Sequence, residues 1–183
     1  MIVKTGNTFT FRYIIKLHVN GVNLLNFIRN SLGGIDNVTT EGSIANYKVS
    51  SQKEIKLIIE IFTKYSLNSS KHLDFLVFCR AYELYISSNN KTPELAKEIN
   101  MLKDSMNRKR TNLDWEKLHK IYITDNWLLG FVEGDGSFFI AKKDWILTFS
   151  LTQKGNLALM EAIQSYLFNL VKKKLFNNCT YKS

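Results

Sequence analysis

Three glycines and two acids behind a short apolar run, in residues 128–136, constrain the fold of this chain more than any other stretch. The segment reads Leu-Leu-Gly-Phe-Val-Glu-Gly-Asp-Gly. If it is helical, Gly130 and Gly134 lie one turn apart on one face, where another backbone can approach closely. Asp135 then falls at the C-terminus of the helix, and Gly136 is expected to be a left-handed cap.

The same residues also suit a β-hairpin, because Asp-Gly between apolar runs favours a two-residue turn. Phe131-Val132 and Phe138-Phe139-Ile140 supply those runs. Local physics leaves both readings open. In the helical reading, Asp135 meets the negative end of the helix dipole, and a bound divalent cation would reverse that penalty.

These nine residues resemble the motif that names the LAGLIDADG family of homing endonucleases and intron maturases. The family pattern is an aliphatic pair, Gly, two apolar residues, an acid, a small residue, Asp and Gly. Here Leu129 replaces a small residue and Glu133 is the first acid. The resemblance favours the helix. It implies an α+β fold with an antiparallel DNA-binding sheet, helices packed on one face, and a pseudo-twofold repeat that is incomplete here.

Composition agrees with a globular protein that has an anionic partner. Of the 183 residues, 45% are hydrophobic, and the formal net charge is +9. That charge suggests nucleic acid first and an anionic membrane surface second, although a basic protein without such a partner stays open. No apolar run reaches the ~18 residues of a membrane span. Cys79 and Cys179 are far apart and are read as reduced thiols.

The N-terminus shows neither a secretory signal nor an Arg-rich import signal. Asn, Lys and Ile are abundant, as in proteins encoded by AT-rich genomes such as those of fungal mitochondria. We therefore expect an organelle-encoded protein of the mitochondrial matrix, which needs no import signal.

Hydrophobic periodicity predicts a strand over residues 9–19, two more at 36–40 and 43–50, and a helix over Gln52–Lys64. Thr92-Pro93-Glu94 predicts the start of another helix. A strand-then-helix pattern near the N-terminus recurs at an offset of about 134–135 positions, which predicts an internal repeat. The first copy of the motif would then lie just before Met1.

The resemblance divides the chain into three parts: residues 1–88, a first half without its motif helix; 89–125, a connector with a helix and a basic segment; and 126–183, the start of a second half. It implies truncation at both ends. The missing motif helix is expected from upstream exon-encoded sequence or from a second chain.

The resemblance also assigns a site. Asp135 is the catalytic, metal-binding acid, and the Gly134 carbonyl is a second ligand of a divalent cation, Mg²⁺. Gly130 and Gly134 form the helix-packing face. Lys71 has a supporting catalytic role in organising water or phosphate, although an exposed loop lysine is the other reading of that residue.

Polar rows of the strands are the candidate contacts with double-stranded DNA, because a two-stranded ribbon fits the major groove. The alternative is a solvated polar face. The candidates are Arg12, Lys16, His18, Asn46, Lys48, Ser50, Thr148, Ser150, Thr152 and Lys154.

The leading hypothesis is a site-specific homing endonuclease that hydrolyses phosphodiesters with a divalent metal. A maturase that binds its host intron RNA and assists splicing is the second hypothesis. An inactive remnant that only binds nucleic acid is the third.

Overall fold

A computed structural model describes residues 1–6, 8–106, 120–143, 145–153 and 156–177. The chain forms two compact units. The first is built from Met1–Leu67 and Lys71–Thr111, and the second from Asn68–Ser70 and Asn112–Ser183. Each unit is described by itself.

The first unit begins with two short strands and continues as a mixture of strands and helices. Ile2–Thr5 (β1) and Thr8–Phe11 (β2) form an antiparallel hairpin. Ile44–Val49 (β5) lies between Tyr13–His18 (β3) and Asn37–Glu41 (β4) in an antiparallel sheet. In chain order the elements are β1 (Ile2–Thr5), β2 (Thr8–Phe11), β3 (Tyr13–His18), a 3₁₀ turn (Val19–Gly21), α1 (Val22–Ser31), β4 (Asn37–Glu41), β5 (Ile44–Val49), α2 (Gln52–Lys64), α3 (Lys71–Ser87) and α4 (Pro93–Asp104).

The core of the first unit lies under the inner rows of these strands. Tyr47 and Val49 are both 0% exposed, as the alternation of β5 predicts. The Phe11 ring makes edge-to-face contacts with Phe78 and Tyr82 of α3, at centroid distances of 5.5 and 5.4 Å. Strand residues and helix residues thus share one hydrophobic core.

Local capping signals set two helix starts where the sequence predicts them. The Ser51 hydroxyl accepts a hydrogen bond from the Glu54 N–H at 3.3 Å and begins α2. The Thr92 hydroxyl accepts from the Leu95 N–H at 3.3 Å, with Pro93 as the first residue of α4. Both contacts satisfy backbone donors that a helix N-terminus leaves unpaired.

The strand predicted over residues 9–19 is divided in the structure. Strand β2 ends at Phe11 and pairs with β1, whereas β3 begins at Tyr13 and pairs with β5. Arg12 lies between the two strands, and its N–H donates to the Met1 carbonyl at 2.8 Å. Hydrophobic periodicity predicted the inner and outer rows of residues 9–19. It did not predict the break at Arg12 or the existence of strand β1.

The second unit contains α5 (Asp125–Asp135), β6 (Gly136–Ala141), β7 (Ile146–Leu151) and α6 (Leu157–Asn177). Strands β6 and β7 form an antiparallel hairpin. The order strand then helix in β7 and α6 repeats that of β3 and α1, as the sequence repeat predicts. Within the described ranges, no helix combines the length and apolar character needed to cross a membrane.

Candidate catalytic and nucleic-acid-binding sites

The motif at residues 128–136 forms the end of helix α5 and the first residue of β6, so the hairpin reading of Asp-Gly is wrong. The Thr124 hydroxyl caps the helix by accepting a hydrogen bond from the Trp127 N–H at 3.2 Å. The Trp127 and Phe131 rings stack one turn apart, with centroids 4.9 Å apart. Capping and stacking both favour the helix over a turn.

Gly136 does not adopt the left-handed cap that the sequence suggested. Its φ is −86° and its ψ 152°, which is extended backbone, and its N–H donates to the Val132 carbonyl. A Cβ at this position would lie 2.4 Å from the Val132 carbonyl oxygen. Glycine is therefore required by close approach rather than by positive φ, because the helix passes directly into the strand.

This junction places Asp135 on the surface as the last residue of α5. Its Oδ2 accepts a hydrogen bond from Gln153 Nε2 at 3.3 Å. The helix dipole is negative at this end and disfavours a carboxylate there, so the site favours a bound cation. Glu133 is also exposed.

The donors at this junction fit a hard divalent cation as part of a site. Asp135 offers carboxylate oxygens, and the Gly134 carbonyl belongs to the last helical turn, whose C=O groups have no intrahelical partner. Oxygen donors are those that Mg²⁺ and Ca²⁺ prefer. Among the described residues, no group of three or more His, Cys, Asp or Glu side chains is placed to hold a metal. Water and phosphate oxygens would have to complete the coordination.

Gln153 is a site residue that sequence reasoning missed. It follows β7, and the β6–β7 register pairs Gly136 with Leu151. In an antiparallel pair, the residues just beyond Leu151 lie beside those just before Gly136. The contact between Gln153 and Asp135 thus follows from the pairing of β6 with β7, which was not predicted from the sequence.

The small-residue face of α5 is open. A Cβ added to Gly130 or Gly134 would meet no atom of the described structure within 4 Å. Leu129 beside them is 62% exposed. The packing role of the two glycines stays a prediction.

Lys71 is the first residue of α3 in the first unit, and its side chain is exposed. Its Nζ lies 3.9 Å from Oδ2 of Asp74, whose side chain is largely buried. Both residues line an apolar cavity of about 430 Å³ that also touches Met1 and Arg12. Burial lowers the pKa of the Met1 α-amine to about 6, against the opposing charge of Asp74. The catalytic role of Lys71 stays a prediction.

Three of the predicted polar residues of β3 and β5, namely Lys16, Asn46 and Lys48, lie side by side on one surface of the sheet. Lys16 pairs with Asn46, and Asn46 pairs with Thr39 on its other side. Lys48 pairs with Asn37. A surface cavity of about 380 Å³ runs over this face and is lined by Ile14, Lys16, Asp36, Asn37, Thr39, Asn46 and Lys48. Asn37 and Thr39 of β4 thus join the row, because β5 brings β4 beside β3.

Two further candidates of this row have local roles in the structure. Arg12 lines the apolar cavity, and its Nε is buried without a hydrogen-bond partner, so it lies apart from the polar surface. The His18 Nδ1 accepts from the Asn20 N–H at 3.3 Å and caps the 3₁₀ turn, while the residue stays exposed. Ser50 is half-buried just after β5.

The candidates of the second unit lie on one face of the β6–β7 hairpin or just beyond it. Thr148 pairs with Phe139, and Ser150 pairs with Ser137. Both polar residues are half-buried, whereas Thr152 is exposed. Lys154 lies outside the described residues, as does Cys179.

Comparison with known proteins shows which family this chain is similar to. Residues 1–82 match the LAGLIDADG endonuclease family. The match covers most of the first unit, whereas the motif itself lies in the second.

Fungal proteins named as probable intron-encoded endonucleases are similar to this chain. It is 28% identical to the probable intron-encoded endonuclease Cox1-I1b of Schizosaccharomyces pombe, over 91% of this chain and 44% of the relative. It is 30% identical to the probable intron-encoded endonuclease aI3 of Kluyveromyces lactis, over 93% of this chain and 49% of the relative. The chain thus spans less than half the length of these relatives.

Solved LAGLIDADG structures show the same fold. The meganuclease I-AabMI, bound to uncleaved DNA, matches with a TM-score of 0.76 and 26% identity, covering 90% of this chain and 66% of that one. I-SmaMI, bound to an uncleaved DNA target in the presence of calcium ions, matches with a TM-score of 0.73 and 26% identity, covering 91% of this chain and 67% of that one. The predicted α+β LAGLIDADG fold is confirmed.

Proposed function

We propose that this chain is part of a site-specific homing endonuclease that hydrolyses phosphodiesters of double-stranded DNA with a divalent metal ion. The observation that carries the proposal is the position of Asp135. A carboxylate is exposed at the negative end of a helix. It lies on a motif that resembles that of the LAGLIDADG family, whose endonuclease model residues 1–82 match. The fungal relatives, named as intron-encoded, support an origin in an intron. We propose that this intron is mitochondrial and that the protein acts in the matrix.

Asp135 and the Gly134 carbonyl would hold the metal, for which we propose Mg²⁺. When bound, such an ion activates a water molecule and stabilises the leaving oxygen. Gln153 Nε2 donates to Asp135 and orients its carboxylate. Lys71 would organise water or phosphate near the reacting group.

Cutting both strands requires two such acids, and this sequence contains one copy of the motif. We propose that a second motif helix, from upstream sequence or from another chain, packs on the open face of Gly130 and Gly134. A lack of side chains there lets two helix backbones approach closely. The second acid would then lie beside Asp135.

The polar surface of the first unit would lie along the major groove. Lys16 and Lys48 suit phosphates, whereas Asn46, Asn37 and Thr39 suit base edges. A net charge of +9 adds affinity that does not depend on sequence. Binding should therefore weaken steeply as the salt concentration rises.

The test compares Asp135→Ala with Glu133→Ala, two exposed acids that lie two residues apart in one helix. Each purified variant is incubated with Mg²⁺ and a supercoiled plasmid library that carries random inserts, and nicked or linear DNA is measured. We expect wild type and Glu133→Ala to nick or cut selected inserts, and Asp135→Ala to lose at least about 100-fold in rate.

Equal cutting by Asp135→Ala and wild type would contradict the assigned role. A chain that cuts no insert, yet binds an intron transcript and supports its splicing with Asp135→Ala, would favour the maturase function instead.

A further inference from the structure

The apolar cavity of about 430 Å³ in the first unit has the size and the lining of a small-molecule site. Ligand pockets of folded proteins usually measure about 300–1,000 Å³ and combine apolar walls with a few polar groups. All the residues that line this cavity belong to the first unit, so it is a feature of that unit alone. Aromatic side chains supply much of the wall, namely Tyr13, Phe62, Phe75 and Phe78.

A charged group of this wall has a buried donor without a partner. Arg12 lines the cavity, and its Nε is buried and forms no hydrogen bond. The backbone of Arg12 is held at the break between β2 and β3, where its N–H donates to the Met1 carbonyl at 2.8 Å. A buried donor that stays unpaired destabilises the fold, and more so on a charged group. An acceptor atom bound beside Arg12 removes that cost.

The other charged groups of the wall indicate which charge the ligand carries. Asp74 is 9% exposed, and the Lys71 Nζ lies 3.9 Å from its Oδ2. The Asp74 carboxylate therefore has a cation beside it. Within the described residues, no acid forms an ion pair with Arg12. The excess charge of the wall is positive, and it favours an anionic ligand.

We propose that this cavity binds a small monocarboxylic acid with an apolar body, whose carboxylate accepts a hydrogen bond from the Arg12 Nε and whose apolar part lies among the aromatic side chains. A carboxylate suits a guanidinium, since hydrogen bonds between charged groups are about twice as strong as neutral ones. Binding requires neither DNA nor a metal, so the proposal is independent of the proposed function.

Octanoate is the probe, and octanol and octylamine are its neutral and cationic counterparts of equal chain length. Isothermal titration calorimetry on the full chain measures the dissociation constant of each. We expect octanoate to bind about 10-fold or more tightly than octanol, because only the acid forms a charge-assisted bond with Arg12. Octylamine should bind more weakly still. Failure of octanoate to bind, or equal binding of octylamine, would overturn the proposal.

Arg12→Met separates a ligand-binding arginine from a structural one, because methionine keeps an apolar side chain but removes Nε and the charge. The affinity for octanoate should fall about 10- to 100-fold. Thermal stability should equal or exceed that of wild type, since an unpaired buried donor has been removed. Arg80→Met is the matched control. The Arg80 side chain is 69% exposed on α3, so this variant should bind octanoate as wild type does.

A marked loss of stability in Arg12→Met, with octanoate binding retained, would show that the arginine is structural and would contradict the proposal.

Leu67→Trp locates the ligand without changing a polar group. Leu67 is half-buried at the cavity wall, so a larger side chain should fill part of the volume and exclude octanoate. The exposed apolar face of the β6–β7 hairpin also offers a surface to octanoate, and Leu147→Ala on that face should bind as wild type does. Unchanged binding by a folded Leu67→Trp variant would locate the ligand outside the cavity. The proposal would then be wrong, whatever the behaviour of Arg12→Met.

Discussion

Both units contain antiparallel strands with apolar residues, but the units differ in what covers those strands. In the first unit, Tyr47 and Val49 on the inner row of β5 are 0% exposed. In the second, Phe138 of β6 is 76% exposed and Leu147 of β7 is 81% exposed. Helices pack against the inner row of β5. Within the described residues, the face of the β6–β7 hairpin that carries Phe138 and Leu147 is open.

The difference separates what sets strand register from what stabilises a sheet. Alternating apolar residues and cross-strand pairs, such as the Phe138 and Phe149 rings with centroids 4.9 Å apart, suffice to pair β6 with β7. Burial of those residues needs another layer, because an isolated hairpin is only marginally stable. An exposed apolar face of this kind is typical of an interaction surface.

The largest expected effect is a difference in unfolding free energy when leucine is replaced by alanine in each unit. Leu25 is 0% exposed and Leu147 is 81% exposed. Leu25→Ala should lower the free energy of unfolding of the first unit by about 2–5 kcal/mol, because it removes buried methyl groups and leaves a cavity. Leu147→Ala should change that of the second unit by less than about 0.5 kcal/mol.

Chemical denaturation followed by hydrogen exchange in each unit measures the two effects separately. A cost above about 2 kcal/mol for Leu147→Ala would show that the β6–β7 face is covered in solution, since only a buried leucine has that effect. The contrast between the units would then fail.

Elements with local signals could be predicted from the sequence, whereas contacts between distant segments could not. The bounds of α2, Gln52–Lys64, agree with the prediction because its cap and its apolar stripe lie within one stretch. The β4 and β5 strands lie within a residue of their predicted ranges, for the same reason.

The missed features depend on partners that a local pattern does not specify. The sequence predicted Gly136 as a left-handed helix cap. Glycine is required there instead because a side chain would meet the Val132 carbonyl where the chain enters β6. Gln153 reaches Asp135 only through the β6–β7 register. Asn68 meets a backbone segment 54 positions away, which periodicity cannot reveal.

The reactivity of a cysteine in the first unit tests whether that unit is packed more closely than the exposed β6–β7 face. Burial raises the pKa of the Cys79 thiol in α3 from 9.0 to about 11. A shift of this size makes the reactive thiolate about 100-fold rarer at pH 8. In a Cys179→Ser background, iodoacetamide should therefore modify the native chain about 100-fold more slowly than the chain unfolded in urea.

The pH dependence of stability follows with a definite sign. Since the thiol pKa is raised in the folded state, its contribution to stability is present below pH 9.0 and is lost as the pH rises toward about 11. Cys79→Ser should remove the labelling signal. Equal rates for the native and unfolded chains would show that α3 is not covered as the structure describes.

The smallest effects distinguish two glycines of the motif, Gly136 at the start of β6 and Gly130 within α5. A Cβ at Gly136 would meet the Val132 carbonyl oxygen at 2.4 Å, so Gly136→Ala should destabilise the second unit by about 1–3 kcal/mol. A Cβ at Gly130 would meet nothing within 4 Å. Gly130→Ala should instead stabilise the helix by about 0.5–1 kcal/mol, because alanine loses less backbone entropy.

Gly134→Ala is the matched control for Gly130, since its added Cβ also meets nothing within 4 Å. Thermal unfolding of the second unit measures all three variants. Destabilisation by both Gly130→Ala and Gly134→Ala would mean that another backbone already lies on this face in solution. The partner helix that the motif calls for would then be a second copy of the chain, and both variants should shift the protein from dimer to monomer in sedimentation.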